Sequence, residues 1–381
     1  MPPAEAEFPQ PPWYQASMWT GADFWGLVRI LNSNRWHVSP SYWPGCCVDL
    51  AFAMANSSLG AVQSLFYRSR LKHLEIQQDP VFVIGHWRTG TTLLHELLAL
   101  DPRHTCPTTY QCFVPRHFLL TERLLKPWTG FALPTNRPPD QMRTAWDAPQ
   151  EDEFALCNLG VPSLYATIAF PNGQPAFMEH LTLESVSAWQ REQWKQTWMT
   201  FLKCLYYRKP GRMILKSPTH TFRLPVLLEM FPNACFINLV RHPTTVFLST
   251  VRLWKSLFTT HGYQTPRFAG LNEFVFATFV QMHERLEATR SLVPSGRLID
   301  VHYEELVDDM VGTMQSIYEK LQLGDFDRVG PLIQEYVSAH RDYQPNRHQA
   351  TSEVESEVYA RWKPYFEKYG YSSTLLPSSS P

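Results

Sequence analysis

Short apolar runs alternate with leucine repeats at helical spacing, and this alternation predicts the secondary structure. Val81–Ile84 is a continuous apolar run that Asp79-Pro80 precedes and a glycine follows, which is typical of a short buried strand. Leucines then recur at positions 93, 94, 97 and 98, so we expect a helix that ends at Asp101-Pro102. A strand, a glycine-containing turn and a helix are therefore expected to follow one another here.

The same alternation returns after Pro210-Gly211. Three further apolar runs predict strands, and the segments between them have the helical period. The predicted strands span residues 213–215, 235–240 and 298–301, and the predicted helices include 224–230 and a segment that begins after Pro243. Strands that alternate with helices form parallel sheets with helices on both faces. The sequence therefore predicts an α/β fold class with three layers around a central parallel sheet.

Composition changes divide the chain into three parts, the second of which carries an insertion. Residues 1–78 are predicted to form an N-terminal helical extension, and residues 79–340 the α/β core. Within the core, residues 127–209 are predicted to be a loop and helical insertion, because a proline-rich stretch excludes regular structure before a mainly helical stretch. Residues 341–381 are predicted to form a C-terminal loop and helix.

The most apolar stretch of the extension, Cys46–Phe66, has two interpretations that the sequence leaves open. Asp49 and Asn56 interrupt it, so it lacks the run of roughly 18 apolar residues that predicts a membrane-spanning helix. It is either a helix packed on the core or an amphipathic helix lying on a membrane, with Trp36 and Trp43 nearby. The first twenty residues lack a basic segment followed by an apolar run, so we expect no secretory signal peptide.

The charge balance excludes partners that a strong overall field would recruit. Lys and Arg number 34 against 35 Asp and Glu, a net charge of −1, so we expect no nucleic-acid partner. Any polyanion must be bound by local basic groups. The seven cysteines show no Cys-x-x-Cys pair and no zinc-ligand spacing. We therefore expect reduced thiols, no metal and a cytoplasmic location, with membrane association left open.

The turn after the first strand, Gly85–Thr92, has the layout of a phosphate-binding loop. Its glycines let the backbone curl so that successive N–H groups point inward, and the following helix adds partial positive charge. The loop of nucleotide hydrolases has a lysine where Thr91 stands, and here Arg88 lies inside the loop instead. The predicted fold is therefore P-loop-like, and ordinary nucleotide hydrolysis is disfavoured.

Two further basic residues follow predicted strands. Lys216 ends the strand at 213–215, and Arg241 ends the next one, with Ser249 eight residues later on the following helix. Ligands of parallel sheets bind at the carboxyl ends of the strands. Together with Arg88, these residues predict three cations around one crevice.

These motifs, in this order, resemble the sulfotransferases that use 3'-phosphoadenosine-5'-phosphosulfate (PAPS). The resemblance covers residues 79 to 310 and is strongest to a broad, largely bacterial group that is also similar to tyrosylprotein sulfotransferases. It implies PAPS as co-substrate, no metal, and a loop that grips the 5'-phosphosulfate. The loop residues that match are Arg88, Thr89, Gly90, Thr91 and Thr92.

The resemblance also implies roles for residues at the other strand ends. Arg241 and Ser249 match the pair that binds the 3'-phosphate, and Lys216 matches the lysine that contacts the sulfuryl group and the bridging oxygen. Tyr303 matches a Tyr-Glu segment near the adenosine, although a core aromatic would look the same. The 127–209 insertion would then lie on the acceptor side.

The general base is where the sequence departs from the family pattern. Tyrosylprotein sulfotransferases have a glutamate shortly after the loop helix, and this chain has no carboxylate at 108–111. The acidic cluster at 151–153 offers Glu153 as a substitute, while acids in a first helical turn also have a purely structural explanation. His220 is a second candidate, and His117 is only loosely placed.

We therefore expect a sulfotransferase that acts on a hydroxyl or amine of a small-molecule, lipid or glycan acceptor. The sequence does not predict the oligomeric state. One alternative is another P-loop enzyme such as a kinase, which would need the missing lysine and a Mg²⁺ carboxylate. The other is a non-catalytic nucleotide-binding or membrane-associated protein.

Overall fold

Within the described residues, five parallel strands form the sheet, in the order β2-β3-β1-β4-β5. The structure is a computed structural model, and it describes residues 17–130, 133, 145–340 and 350–374. The strands are β1 (Val81–Ile84), β2 (His104–Thr105), β3 (Arg212–Lys216), β4 (Cys235–Val240) and β5 (Leu298–His302).

Helices make up most of the remaining structure. The α-helices are α1 (Phe24–Ser33), α2 (Trp43–Lys72), α3 (Thr91–Ala99), α4 (Thr109–Phe113), α5 (Phe118–Leu125), α6 (Asp152–Asn158), α7 (Ala188–Arg208), α8 (Leu224–Met230), α9 (Pro243–His261), α10 (Leu271–Thr289), α11 (Tyr303–Asp308), α12 (Met310–Leu321), α13 (Gly330–Ala339) and α14 (Ser352–Tyr369). Short 3₁₀ turns lie at Met18–Gly21, Pro40–Tyr42, Lys126–Trp128, Leu164–Ile168, Met178–His180, Pro218–Phe222 and Arg290–Leu292.

The described residues form two compact units. The first, which we call the helical unit, takes its residues from 1–75, 107–208 and 252–269. The second, the sheet unit, takes its residues from 76–106, 209–251 and 270–381 and contains all five strands. The predicted domain boundaries at residues 78 and 340 stay predictions.

The core of the sheet unit explains why the strand ends lie side by side. β1 pairs with β3 through Val83 and Lys216 and with β4 through Ile84 and Asn238, all in parallel. Every residue of β1 and β4 is buried, and one face of β1 packs in the same apolar cluster as Leu94 of α3. Because parallel strands point the same way, the residues that follow β1, β3, β4 and β5 meet at one edge.

Most of the predicted elements of the sheet unit are confirmed. The strands at 81–84 and 235–240 and the helix at 224–230 have the predicted bounds. The two-residue strand β2 and the helix α10 were not predicted. The proline-rich stretch contains one described 3₁₀ turn, at Lys126–Trp128, and residues 131–132 and 134–144 of it lie outside the described residues.

The mainly helical stretch predicted for the later part of the 127–209 insertion, from residue 151 onward, is helical only at its two ends. α6 and α7 lie there, whereas residues 159–187 contain two short 3₁₀ turns and otherwise irregular backbone. Three prolines in this segment, Pro162, Pro171 and Pro175, remove backbone N–H donors and explain the interruption. The C-terminal helix is confirmed as α14, and the loop at 341–349 lies outside the described residues.

Candidate active site

The loop between β1 and α3 turns sharply at two glycines. Gly85 and Gly90 have φ values of 130° and 97°, a region that residues with a Cβ rarely adopt. A Cβ at Gly85 would lie 2.5 Å from the carbonyl oxygen of Leu239, so the loop also needs a glycine there for space. Gly90 is the N-cap of α3, and as a glycine it has no side chain with which to cap that helix. The first N–H groups of α3 therefore point out of the helix without an intrahelical acceptor.

Arg88 lies at the tip of this loop and is held at both its backbone and its side chain. Its φ of 70° is unusual for a residue with a side chain, and such backbone strain is concentrated at functional sites. Its Nε donates a hydrogen bond of 2.8 Å to Oγ of Ser249 on α9. Its carbonyl oxygen accepts one of 3.2 Å from Nη1 of Arg241. The three polar residues predicted from separate motifs are therefore in direct contact.

Tyr303 packs between the loop and Arg241. It is the first residue of α11, directly after β5, and its ring lies 4.0 Å below the guanidinium carbon of Arg241. Any side chain at Gly90 would overlap the same ring. Tyr303 thus positions both a loop residue and a cation, and its predicted place near the adenosine stays a prediction.

Lys216 ends β3 and is almost fully buried, with 1% of its surface exposed. Its Nζ lies 3.5 Å from Oγ1 of Thr92, in the first turn of α3. Burial, with the charge of Lys216 as a smaller cause, lowers the pKa of the nearby His95 to about 3. His95 is therefore neutral at physiological pH and adds no second charge beside the lysine.

These contacts bring Arg88, Lys216 and Arg241 around the N-terminus of α3. Three cations and a row of backbone N–H groups at one edge of a parallel sheet can bind a ligand with several anionic groups. Among the described residues, no three His, Cys, Asp or Glu side chains are grouped as a metal site would require.

Comparison with known proteins identifies the family. The model of a family described as the sulfotransferase family matches residues 80–328, which include every strand and the whole loop. The chain belongs to the sulfotransferase family.

Two curated relatives within the sulfotransferase family are similar to this chain over nearly its whole length. Both are named omega-hydroxy-beta-dihydromenaquinone-9 sulfotransferase Stf3, one from Mycobacterium bovis and one from Mycobacterium tuberculosis. Each is 42% identical over 358 residues, which cover 94% of this chain and 92% of the relative. The similarity therefore includes the helical unit as well as the sheet unit.

Solved structures of sulfotransferases are similar to this chain in fold. The sulfotransferase STF9 from Mycobacterium avium has a TM-score of 0.69 at 18% identity, and the match covers 92% of each chain. STF1 from Mycobacterium tuberculosis has a TM-score of 0.62 at 19% identity, over 92% of this chain and 94% of its own. The predicted P-loop-like α/β fold with a central parallel sheet is confirmed.

The predicted base of the sulfotransferase, Glu153, lies in the helical unit. It is fully buried in the first turn of α6, and Oγ of Ser163 donates a 2.6 Å hydrogen bond to its Oε1. The neighbouring Asp152 accepts a hydrogen bond of 2.8 Å from Nε1 of Trp198, so it has a structural role. Glu153 is therefore compatible both with a catalytic role and with a purely structural role at the start of α6. Its role as general base stays a prediction.

The two histidines considered as bases differ in their surroundings. His220 lies in the sheet unit, in the 3₁₀ turn after Lys216, and its buried ring packs edge-on against Phe82 of β1. His117 lies in the helical unit, and its ring nitrogens are 3.0 Å from Oγ1 of Thr121 and Oδ1 of Asn56. Burial lowers the pKa of His117 to about 4. Both nitrogens of His117 are engaged, which makes it a structural residue.

Sequence reasoning missed two residues that support the loop and Arg241. Oγ1 of Thr221 accepts a 2.9 Å hydrogen bond from the backbone N–H of Gly85 and so fixes the start of the loop. The hydroxyl of Tyr365 on α14 accepts a hydrogen bond of 3.3 Å from the backbone N–H of Arg241. Thr221 could be suspected from its place just after Lys216, whereas Tyr365 is 124 residues away from Arg241 along the chain and has no sequence signal.

Proposed function

We propose that this sulfotransferase transfers a sulfuryl group from PAPS to the hydroxyl group of an apolar, lipid-like acceptor. The observation that carries the donor assignment is the contact of Arg88 with both Ser249 and Arg241. These two partners would bind the 3'-phosphate, which PAPS has and ATP lacks. The amide groups of the loop and of the first turn of α3 would bind the 5'-phosphosulfate.

The loop that would bind the 5'-phosphosulfate consists of Arg88, Thr89, Gly90, Thr91 and Thr92. The left-handed backbone and missing side chain of the N-cap Gly90 support this, because the first N–H groups of α3 point out of the helix and receive no bond from that residue. Tyr303 would hold Gly90 and Arg241 in place beside the adenosine. The packing of its ring against both residues supports that role.

Lys216 would stabilise the charge that develops during transfer. The bond between sulfur and the bridging oxygen breaks, a new bond forms between sulfur and the acceptor oxygen, and adenosine 3',5'-bisphosphate leaves. Negative charge then accumulates on the bridging oxygen. A buried ammonium close to the first turn of α3 is a preorganised partner for that charge and needs little reorganisation.

The acceptor proton would go to a carboxylate, and we propose Glu153 for this role, with His220 as the rival. A buried carboxylate whose Oε1 accepts a hydrogen bond from Ser163 is held in a fixed orientation, as a general base must be. Abstraction of the proton makes the acceptor oxygen a better nucleophile.

The acceptor proposal rests on the relatives. They are named for an omega-hydroxylated menaquinone derivative, and at 42% identity over nearly the whole chain we propose the same acceptor class here: a hydroxyl on a long apolar lipid. We further propose a cytoplasmic location. The similarity to tyrosylprotein sulfotransferases stays a prediction from the loop pattern.

Two measurements test the proposed function. Adenosine 3',5'-bisphosphate at about 100 times its dissociation constant should stabilise the protein by roughly 2.7 kcal/mol, and ATP with Mg²⁺ should stabilise it far less. Transfer of label from [³⁵S]PAPS should then be measured with isoprenoid alcohols, phenols, sugars and amines. Selective stabilisation by ATP would contradict the donor assignment, and transfer only to sugars or amines would contradict the acceptor class.

A further inference from the structure

In the helix α2 (Trp43–Lys72), the buried and exposed sides have the reverse polarity of an ordinary surface helix. Its buried positions follow a three-and-four spacing, and four of them, Asp49, Asn56, Gly60 and Gln63, are polar or have no side chain. A surface helix normally buries its apolar stripe and exposes its polar one. In α2 the polar stripe faces the helical unit.

Hydrogen bonds fix this orientation at three points. The carboxylate of Asp49 accepts hydrogen bonds from the hydroxyls of Ser17, Thr20 and Tyr263, at 2.9 to 3.2 Å. The amide of Asn56 donates to two backbone carbonyls, at 2.9 and 3.2 Å. Rotation of the helix would bury apolar groups but would break these bonds.

The carbonyl of Gln63 makes the third bond, because its oxygen accepts a 2.9 Å hydrogen bond from the backbone N–H of Leu119. Between these points, the Cβ of a residue at Gly60 would lie 3.1 Å from Arg116, so the helix is also packed closely. The polar side chains of the inward stripe therefore have hydrogen-bond partners. This orientation of the helix determines which side chains of α2 face outward.

The outward side of α2 is apolar over most of its length. Its large exposed side chains are Val48, Phe52, Met54, Val62, Leu65 and Phe66, and 84% of the surface of Leu65 is accessible. From Trp43 to Tyr67 the only charged residue is Asp49, which points inward. An apolar surface of this extent marks an interaction site, since soluble monomers rarely expose one.

The two ends of this surface carry the residues that favour a lipid–water boundary. At the start of α2, Trp36 and Trp43 stack with their ring centroids 6.3 Å apart, and both rings are more than one third exposed. At the end, Arg68, Arg70 and Lys72 are exposed within five residues. Tryptophan rings and basic side chains are enriched at membrane interfaces.

We propose that α2 lies flat on an anionic lipid bilayer and attaches the enzyme to it through this apolar side. Pro40–Lys72 is long and apolar enough to cross a membrane by length and composition alone. A membrane-spanning orientation would, however, break the hydrogen bonds of Asp49, Asn56 and Gln63. It would leave these polar side chains unpaired in hydrocarbon, which is energetically costly. A helix that lies in the interface keeps every one of these hydrogen bonds.

Charge favours a bilayer over a second copy of the chain. Pairing of two such surfaces would need acids to neutralise Arg68, Arg70 and Lys72, and no acidic side chain is exposed anywhere along α2, all of which is described. Anionic headgroups supply that charge next to the acyl chains that the apolar side requires. Membrane attachment of this kind is independent of the identity of the acceptor.

The test is sedimentation of the full chain with vesicles, in the absence of any donor. One set is pure phosphatidylcholine and the other contains roughly one third phosphatidylglycerol. The triple variant Phe52→Gln, Leu65→Gln, Phe66→Gln should lose at least about tenfold in affinity for both sets. The variant Arg68→Gln, Arg70→Gln, Lys72→Gln should lose about tenfold or more on the anionic set and little on the neutral one.

The matched control is Leu292→Gln with Leu332→Gln, which removes two exposed leucines of the sheet unit and should leave vesicle binding unchanged. Thermal stabilisation by adenosine 3',5'-bisphosphate, measured on each variant, separates failure to fold or to bind the donor from failure to bind vesicles. Equal vesicle binding by the wild type and the Phe52 triple variant would overturn the proposal. A wild-type dimer in vesicle-free buffer that this variant converts to monomers would also overturn it, because the occupant would then be a second copy.

Discussion

Nε of Arg88 donates a hydrogen bond of 2.8 Å to Oγ of Ser249, across 161 positions of the sequence. One residue belongs to the loop after β1 and the other to the second turn of α9, after β4. Because β1 and β4 are parallel neighbours, both residues emerge at the same sheet edge. The contact therefore follows directly from the strand order.

Replacement of Arg241 by alanine should weaken binding of 3'-phosphorylated nucleotides selectively. A charge-assisted hydrogen bond to phosphate contributes about 1.5–3 kcal/mol, so calorimetry should show a tenfold or greater loss of affinity for adenosine 3',5'-bisphosphate. Affinity for adenosine 5'-phosphosulfate should change much less. Arg328→Ala, on a surface-exposed arginine of the same unit, is the control. Equal losses for both nucleotides would remove the 3'-phosphate assignment.

A methyl group at Gly90 should disrupt the proposed donor site. It would overlap the ring of Tyr303 and would strain a backbone whose φ is 97°, so we expect donor affinity to fall by more than about tenfold. Gly270→Ala provides a matched control, because Gly270 is also an N-cap glycine with a φ of 75°, but a Cβ there would have no atom within 4 Å. If both variants bind the donor equally well, the close packing of Tyr303 on the loop is unimportant for binding.

The outlines of the sheet unit follow from sequence alone, whereas the supporting contacts do not. β1 and β4 are buried on both faces and bounded by turn residues, so the first and last residue of each strand can be predicted from the sequence. β2 has two residues, too few for any period, and Tyr365 reaches Arg241 through tertiary packing. The orientation of α2 could not be predicted either, because it depends on distant partners of Asp49 such as Tyr263.

The buried Asp49 should make stability depend on pH. Burial raises its pKa to about 6, so the folded state holds its proton more tightly than the unfolded state does. Stability should therefore fall as the pH rises from about 4 to about 6, by on the order of 3 kcal/mol at most. In denaturant unfolding, Asp49→Asn should gain stability relative to the wild type across this range. A difference between the two proteins that stays constant with pH would contradict this account.

Replacement of Glu153 by glutamine should lower turnover while donor affinity stays within a few-fold. Loss of a general base typically costs about 10²–10⁴ in rate, and the amide keeps the shape and one acceptor for Ser163. His220→Gln should have the smaller effect on the pH dependence of turnover. Wild-type turnover in the Glu153 variant would assign the proton transfer to His220 or to the acceptor itself.

The most direct measurement compares donor affinity and single-turnover transfer in Lys216→Met. In the proposed mechanism Lys216 would act mainly when the bridging oxygen becomes anionic, while binding would be shared among Arg88, Arg241, Ser249 and the loop amides. We expect donor affinity by calorimetry to be largely retained and the rate of sulfuryl transfer to fall by about 10²–10³. Lys216→Arg should not restore the rate, because a planar guanidinium does not occupy the position of a compact ammonium. Loss of donor affinity and rate in the same proportion would show that Lys216 is a binding residue and would contradict the proposed mechanism.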